Sequence, residues 1–119
     1  MPDPLPQAAT ATLNALLAGP DPVRSALRAQ IPHARVTGRC GCGCGCGCGC
    51  GCATLDLTVD HAAVPPAPLH GNPAADAWYA VPDDAGVMAF TDGGYLSRLE
   101  IHSASGPVTA WPEPDFLKR

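Results

Sequence analysis

The sequence has few aromatic residues, few basic residues and no long apolar run, and each shortage narrows what the protein can be. Two Trp, two Tyr and two Phe predict a core of Leu, Val, Ile and Ala, because large rings supply much of the buried area where they are abundant. Seven Lys and Arg against eleven Asp and Glu give a net charge of −4. This argues against nucleic acid and anionic membranes as partners, since both require a basic surface. No apolar run approaches the roughly 20 residues that span a bilayer.

The length and the proline content predict the organisation of the chain. A chain of 119 residues is expected to form a single domain, residues 1–119. The prolines predict a disordered tail at residues 1–6 and a loop at residues 61–76. The first ten residues, MPDPLPQAAT, lack a basic segment followed by a long apolar one, so we expect no signal peptide. We therefore expect a cytoplasmic protein whose thiols are reduced.

Two short helices are predicted before residue 33. The first covers residues 7–18, with leucines at helical spacing on one face, and a Gly-Pro pair ends it. The second begins at Asp21-Pro22, because Asp is a good N-cap and Pro fits the first helical position. It ends before Pro32, which disfavours helical backbone in the residue that precedes it.

The apolar period then changes to two, which predicts strands. Alternating segments cover residues 33–39 and 54–60, a short strand is predicted at residues 78–81, and VMAFTDGGYLSRLEIHS predicts a hairpin around Asp92-Gly93. In the second strand of this hairpin, the pattern places Tyr95, Leu99 and Ile101 on one face and Arg98, Glu100 and His102 on the other. We therefore predict an α+β fold with two short N-terminal helices packed on a small antiparallel sheet of about five strands.

The most unusual segment is a Cys-Gly repeat over residues 40–52. As one strand, residues 33–60 would be about 90 Å long. This length far exceeds the size of a domain whose radius of gyration is about 14 Å. The apolar positions also change from even numbers before the repeat to odd numbers after it. A hairpin turn at Gly45-Cys46 explains both features. It predicts that Val36 pairs with Leu55 and that Ala34 pairs with Leu57.

Three interpretations of the repeat remain open. In the hairpin, Cys40, Cys42 and Cys44 face inward and Cys48, Cys50 and Cys52 face outward, so four thiols do not converge. If the repeat instead leaves extended geometry, its thiolates can bind Zn or Cu(I). In the third interpretation, a GC-rich six-base unit has expanded by replication slippage. The metal interpretation takes as ligands all seven cysteines, namely Cys40, Cys42, Cys44, Cys46, Cys48, Cys50 and Cys52.

The C-x-C spacing resembles that of metallothioneins, which bind Zn and Cu(I) through such pairs, but the resemblance covers the repeat alone. His61 and His70 are candidate nitrogen ligands beside the thiolates, with exposed loop histidines as the alternative. His33 and His102 are expected on outer strand faces. No carboxylate spacing supports an acid–base pair, and neither a phosphate-binding glycine pattern nor G-x-S-x-G is present. We therefore expect no enzymatic activity and no cofactor, apart from a metal if the repeat binds one.

Four further segments carry a resemblance that covers most of the chain. The helix ending LLAG, the helix VRSALRAQ, the strand ARVTGRCGC with ATLDL, and the hairpin DGGYLSRLEIHS followed by WPEP resemble small uncharacterised proteins of GC-rich bacteria. This resemblance implies a fold and no chemistry, and the long repeat departs from it. From the sequence we expect a small, soluble, non-enzymatic domain that contacts another protein through a sheet edge or its aromatic tail, with soft-metal binding as the alternative.

Overall fold

A computed structural model of the protein describes residues 3–39, 53–68, 73–80, 85–103 and 111–118. Within these ranges, two α-helices pack on one face of a seven-stranded antiparallel sheet. The predicted α+β class and the two helices are confirmed, but the sheet has seven strands, not about five. Neither α-helix has the length and apolarity of a membrane-spanning segment, as far as the described residues show.

The helices are α1 (Gln7–Leu16) and α2 (Pro22–Gln30), and single 3-10 turns form at Ile31–His33 and Pro114–Phe116. The strands are β1 (Asp3–Pro4), β2 (Ala34–Arg39), β3 (Leu55–Val59), β4 (Ala75–Tyr79), β5 (Ala85–Asp92), β6 (Tyr95–Ser103) and β7 (Leu117–Lys118). Their order across the sheet is β1-β2-β3-β6-β5-β4-β7.

The helix ends follow from capping chemistry. The Asp21 carboxylate accepts a 2.7 Å hydrogen bond from the Val23 N–H, so the predicted N-cap of α2 is confirmed. The C-terminal end of α1 is capped by side chains of α2. Arg24 and Arg28 donate hydrogen bonds to main-chain carbonyls there, among them the Leu16 oxygen at 2.7 Å. These carbonyls have no partner within their own helix, so the two arginines cap α1 and fix the angle between the helices.

One hydrophobic core lies between the helices and the sheet. The leucines of α1 and α2 are fully buried there, and every long strand contributes alternate residues to the same layer. As expected from the few aromatics, the core is aliphatic. Its fully buried aromatic residue is Tyr79, and its large aliphatic members include Leu13, Leu16, Leu17, Leu27, Leu55, Leu96, Leu99 and Ile101.

The pairing of β2 with β3 differs from the predicted register by two residues. Val36 faces Leu57 and Ala34 faces Val59, whereas the hairpin prediction paired them with Leu55 and Leu57. The predicted change of inward phase is correct, because these even- and odd-numbered residues are all buried. An irregularity between Val36 and Gly38 inserts Thr37 as an extra residue, and such a bulge shifts all later pairs.

A second irregularity lies in the β5–β6 hairpin. The turn residues are Gly93 and Gly94, both with positive φ, so the turn comes one residue later than predicted. The register shifts between the pairs Phe90–Arg98 and Thr91–Leu96, and Leu96 is buried while Tyr95 is half-buried. The prediction that Tyr95 shares the inner face with Leu99 was therefore wrong, because the bulge gives that position to Leu96.

Both extra strands come from segments near the chain ends. Asp3–Pro4 pairs with β2, so the expected disorder of residues 1–6 does not hold for these two residues. Leu117–Lys118 pairs with β4 at the other edge. Strand β4 begins at Ala75, so the predicted loop at residues 61–76 ends earlier than expected. Of the strand predicted at residues 78–81, residues 78 and 79 belong to β4, residue 80 follows it, and residue 81 lies outside the described ranges.

Candidate interaction surface

The predicted metal ligands, Cys40 to Cys52, lie outside the described residues. The structure does describe the two strands that flank them. Arg39 at the end of β2 pairs with Leu55 at the start of β3. The inward and outward faces predicted for the cysteines depend on a register that is wrong for the flanking strands. Among the described residues, no group of three or more His, Cys, Asp or Glu side chains could hold a metal ion.

Of the two candidate histidine ligands, the structure describes His61. His61 follows β3 at its far end, after five strand residues, or roughly 16 Å of extended chain. Its ring stacks on Tyr95 with 3.7 Å between ring centroids. His33 belongs to a 3-10 turn, so the prediction that it lies in a strand was wrong. It directly precedes the first residue of β2, whereas the repeat follows the last residue of that strand. His70 lies outside the described residues.

His102 lies on the outer face, as expected. The outer face is the face of the sheet turned away from the helices. Its residues alternate along each strand with the residues that point into the core. Its central members come from β3, β4, β5 and β6. They are Asp56, Asp76, Trp78, Gly86, Met88, Phe90, Arg98, Glu100 and His102.

The centre of interest on the outer face is an aromatic pair above a glycine. Gly86 lies opposite Trp78 on one side and His102 on the other. The two rings meet edge to face, with 5.3 Å between centroids and 89° between planes. A Cβ on Gly86 would lie 2.8 Å from the His102 ring and 3.1 Å from the Trp78 ring. The pair can therefore cover the strand only because residue 86 has no side chain.

Trp78 is held in place and still accessible. Its residue surface is 52% exposed, although the ring contacts His102 and covers Gly86. A large indole that is half exposed on a rigid strand is a common anchor in protein interfaces, because it supplies contact area with little loss of side-chain freedom on binding. Met88 and Phe90, both half-buried on the outer face, extend the apolar surface along β5.

An ionic group borders this apolar surface. The Arg98 Nε donates to the Asp56 carboxylate at 3.0 Å, and its Nη1 lies 3.8 Å from Glu100. Glu100 is only 8% exposed, so the Arg98 charge beside it offsets part of the cost of burying a carboxylate. A cavity of about 350 Å³ opens beside the group between Arg98 and Phe90. Mixed charge around an apolar centre is typical of the rim of a protein interface.

The sheet edges are poorer candidates than the outer face. Both edges consist of two-residue strands, β1 and β7, and β1 contains Pro4. Short edge strands and proline are devices that prevent a further strand from pairing. In the C-terminal segment, Trp111 packs partly against the core, whereas Phe116 is 41% exposed. The surface best suited to a partner is therefore the outer face.

One buried polar group belongs to neither surface. The Tyr79 hydroxyl group is fully buried and has no hydrogen-bond partner with good geometry in the part of the chain that the structure describes. Burial raises the pKa of Tyr79, and the nearby Thr12 hydroxyl opposes this effect only in part. Thr12 itself donates to the Ala8 carbonyl at 2.8 Å. The raised pKa keeps the phenol of Tyr79 protonated, and the ring contributes volume to the core.

Comparison of the chain with protein-family models, with curated proteins and with solved structures gives no match. The geometry of this molecule is therefore the basis for inferring its function.

Proposed function

We propose that the protein is a non-enzymatic, cytoplasmic interaction domain whose partner is another protein, and that the outer face around Trp78 is the contact surface. The observation that carries this proposal is the exposed Trp78 ring fixed against His102 above Gly86. Keeping a glycine in a central strand costs stability, and here its effect is to let the two rings lie over the strand. An arrangement that gives up local stability to present a half-exposed indole is better explained by binding than by folding.

The charge distribution supports a protein partner over a nucleic acid. The whole chain has a net charge of −4, and the outer face combines the Arg98 cation with the carboxylates of Asp56 and Glu100. A surface of this kind cannot neutralise a run of phosphates. Its apolar centre and mixed rim instead fit a protein surface of similar composition.

A photo-crosslinking experiment tests the proposed surface. Benzoylphenylalanine in place of Trp78 is expected to give one discrete protein adduct in cells, because the position faces the bound partner. The matched control carries the same group in place of Ser25, which is exposed on α2, and it should not give that adduct. The adduct identified by mass spectrometry then provides a purified partner.

With that partner, Trp78→Ala is expected to weaken binding at least ~10-fold, the usual loss when a central indole anchor is truncated. Ser25→Ala should leave the affinity unchanged. Isothermal titration measures both. Equal adducts from the two probe positions, or an unchanged affinity for Trp78→Ala, would reject the outer face as the contact surface.

Soft-metal binding is the second candidate function, and the cysteine content favours it. Seven thiols occur within residues 40–52, and the flanking strands are paired at Arg39 and Leu55, so their Cα atoms are about 5 Å apart. The two ends of the repeat are therefore held close together, which lowers the entropy cost of bringing its thiolates to a shared ion. Thiolates select Zn and Cu(I) among common metals.

Native mass spectra of protein purified without oxygen test this second function. If the repeat is a site, Zn or Cu(I) should add a discrete mass increment that a chelator removes, and binding should release protons. The matched control has all seven cysteines changed to Ser and should gain nothing. Weak, ragged adducts on the unchanged protein would mean that the repeat is not a metal site.

A further inference from the structure

A groove of about 410 Å³ lies where the N-terminal segment, α1 and the start of β2 meet. Its apolar wall includes Leu5, Ile31 and Pro32, and its polar wall includes Asn14, Arg28 and Arg35. The volume is in the range of sites that enclose most of a small molecule. The groove is separate from the outer face and its Trp78 anchor, so a role for it goes beyond the proposed protein contact.

The groove concentrates positive charge in an acidic protein. Its lining includes two arginines and no carboxylate, although the chain has a net charge of −4. Neither Arg28 nor Arg35 has a carboxylate partner within 4.0 Å among the described residues, where the ion pairs all involve Arg98. An anionic ligand would therefore meet two cations that have no carboxylate partner in the part of the chain that the structure describes.

Main-chain carbonyls hold both guanidinium groups in place. Arg35 donates through Nη1 to the carbonyl of Ala34 at 2.8 Å and to that of Pro32 at 3.4 Å. Arg28 also uses Nη1, with a 2.8 Å bond to the Gly19 carbonyl. A guanidinium group has five N–H donors in a fixed plane. Within the described ranges, Nε and Nη2 of each arginine have no acceptor, so these donors can serve a ligand. Because each guanidinium group is already held in place, less side-chain entropy is lost when a ligand binds.

We propose that this groove binds a small amphipathic carboxylate, with its apolar chain against Leu5 and Ile31 and its carboxylate on Arg35. A guanidinium fork matches a carboxylate with two parallel hydrogen bonds. The apolar wall requires a ligand with a hydrocarbon body, which excludes a simple inorganic anion as the preferred occupant. The concave shape favours a small molecule over a flat protein surface.

Octanoate is a suitable probe because it combines one carboxylate with a short alkyl chain. In ¹H–¹⁵N spectra of the full chain, octanoate is expected to give saturable shifts concentrated at the amides of Leu5, Asn14 and Ile31. Octanol, which keeps the chain and lacks the charge, should bind at least ~10-fold more weakly, since a charged hydrogen bond is lost. Equal binding of octanol would overturn the role of the arginines.

Arg35→Gln is the decisive variant, and it should weaken octanoate binding at least ~10-fold. Arg35 is exposed, so the variant should unfold at the same temperature as the unchanged chain. Lys118→Gln, which removes an exposed cation at the opposite edge of the sheet, is the matched control and should bind octanoate normally. The proposal is overturned if Arg35→Gln binds as before, if the shifts never saturate, or if octyl phosphate binds and octanoate does not.

Discussion

Replacing Gly94 with alanine is expected to lower the free energy of unfolding by at least about 3 kcal/mol. Gly94 has a φ of +89°, which costs an L-residue about 1–2 kcal/mol. A Cβ would also lie 2.7 Å from the Ala67 carbonyl oxygen and 2.8 Å from the Pro66 Cβ. Neither atom can move aside easily, because the Ala67 N–H donates to the Gly94 carbonyl at 2.8 Å. Urea unfolding followed by circular dichroism measures the loss.

Gly93→Ala in the same turn is the matched control. Gly93 has a similar backbone conformation, with a φ of +61°, but no heavy atom lies within 4 Å of where its Cβ would be. Its expected loss is therefore about 1 kcal/mol, the cost of the conformation alone. If both variants lose the same amount, the contact between the turn and the Pro66–Ala67 segment is not what makes Gly94 necessary.

The helices could be predicted from the sequence because their signals are local. The end of α1 and the start of α2 depend on Gly19, Pro20, Asp21 and Pro22, which act within a few residues of their own position. The hairpin at Gly93-Gly94 has the same local character. No knowledge of the rest of the fold is needed for these features, and each is present in the structure close to where it was predicted.

The strand register could not be predicted in the same way. Alternation identifies which residues of a strand are buried, but a single inserted residue changes the phase of everything that follows. Thr37 in β2 and the region around Ser97 in β6 are such insertions. Gly38 beside Thr37 is a bulge signal in the sequence, whereas Ser97 has no glycine or proline next to it. The repeat between β2 and β3 allows many equivalent turn positions. The predicted pairing of these strands therefore differs from the observed pairing by two residues.

The same limit applies to the candidate surface. The sequence predicted correctly that His102 would occupy an outer strand position. It gave no reason to place His102 near Trp78, because their contact depends on the registers of β4 with β5 and of β5 with β6. The two-residue edge strands are also too short to show a period. The outer face is therefore recognisable as a candidate surface from the sheet topology, whereas the sequence indicated a sheet edge or the aromatic tail.

Gln30→Leu is expected to lower the free energy of unfolding by about 2–4 kcal/mol, although it places an apolar residue in the core. Gln30 is completely buried and joins α2 to the β5–β6 hairpin. Its Nε2 donates to the Gly94 carbonyl at 2.8 Å, and its Oε1 accepts from the Leu96 N–H at 2.9 Å. Leucine has a similar volume but leaves the buried Leu96 N–H without that acceptor. The amide of Leu96 should also exchange hydrogen faster in the variant.

Gln7→Leu is the control for Gln30→Leu, because it makes the same chemical change at an exposed position at the start of α1. Its expected effect is within about 0.5 kcal/mol. Position 30 lies three residues after Leu27 on the inner stripe of α2, so a polar residue there already breaks the apolar pattern. A large loss for Gln30→Leu alone, with faster exchange at Leu96, would show that the glutamine satisfies the amide beside the β6 bulge. Equal stability of both variants would mean that the bulge does not need this side chain, and that its N–H finds another acceptor when Gln30 is removed.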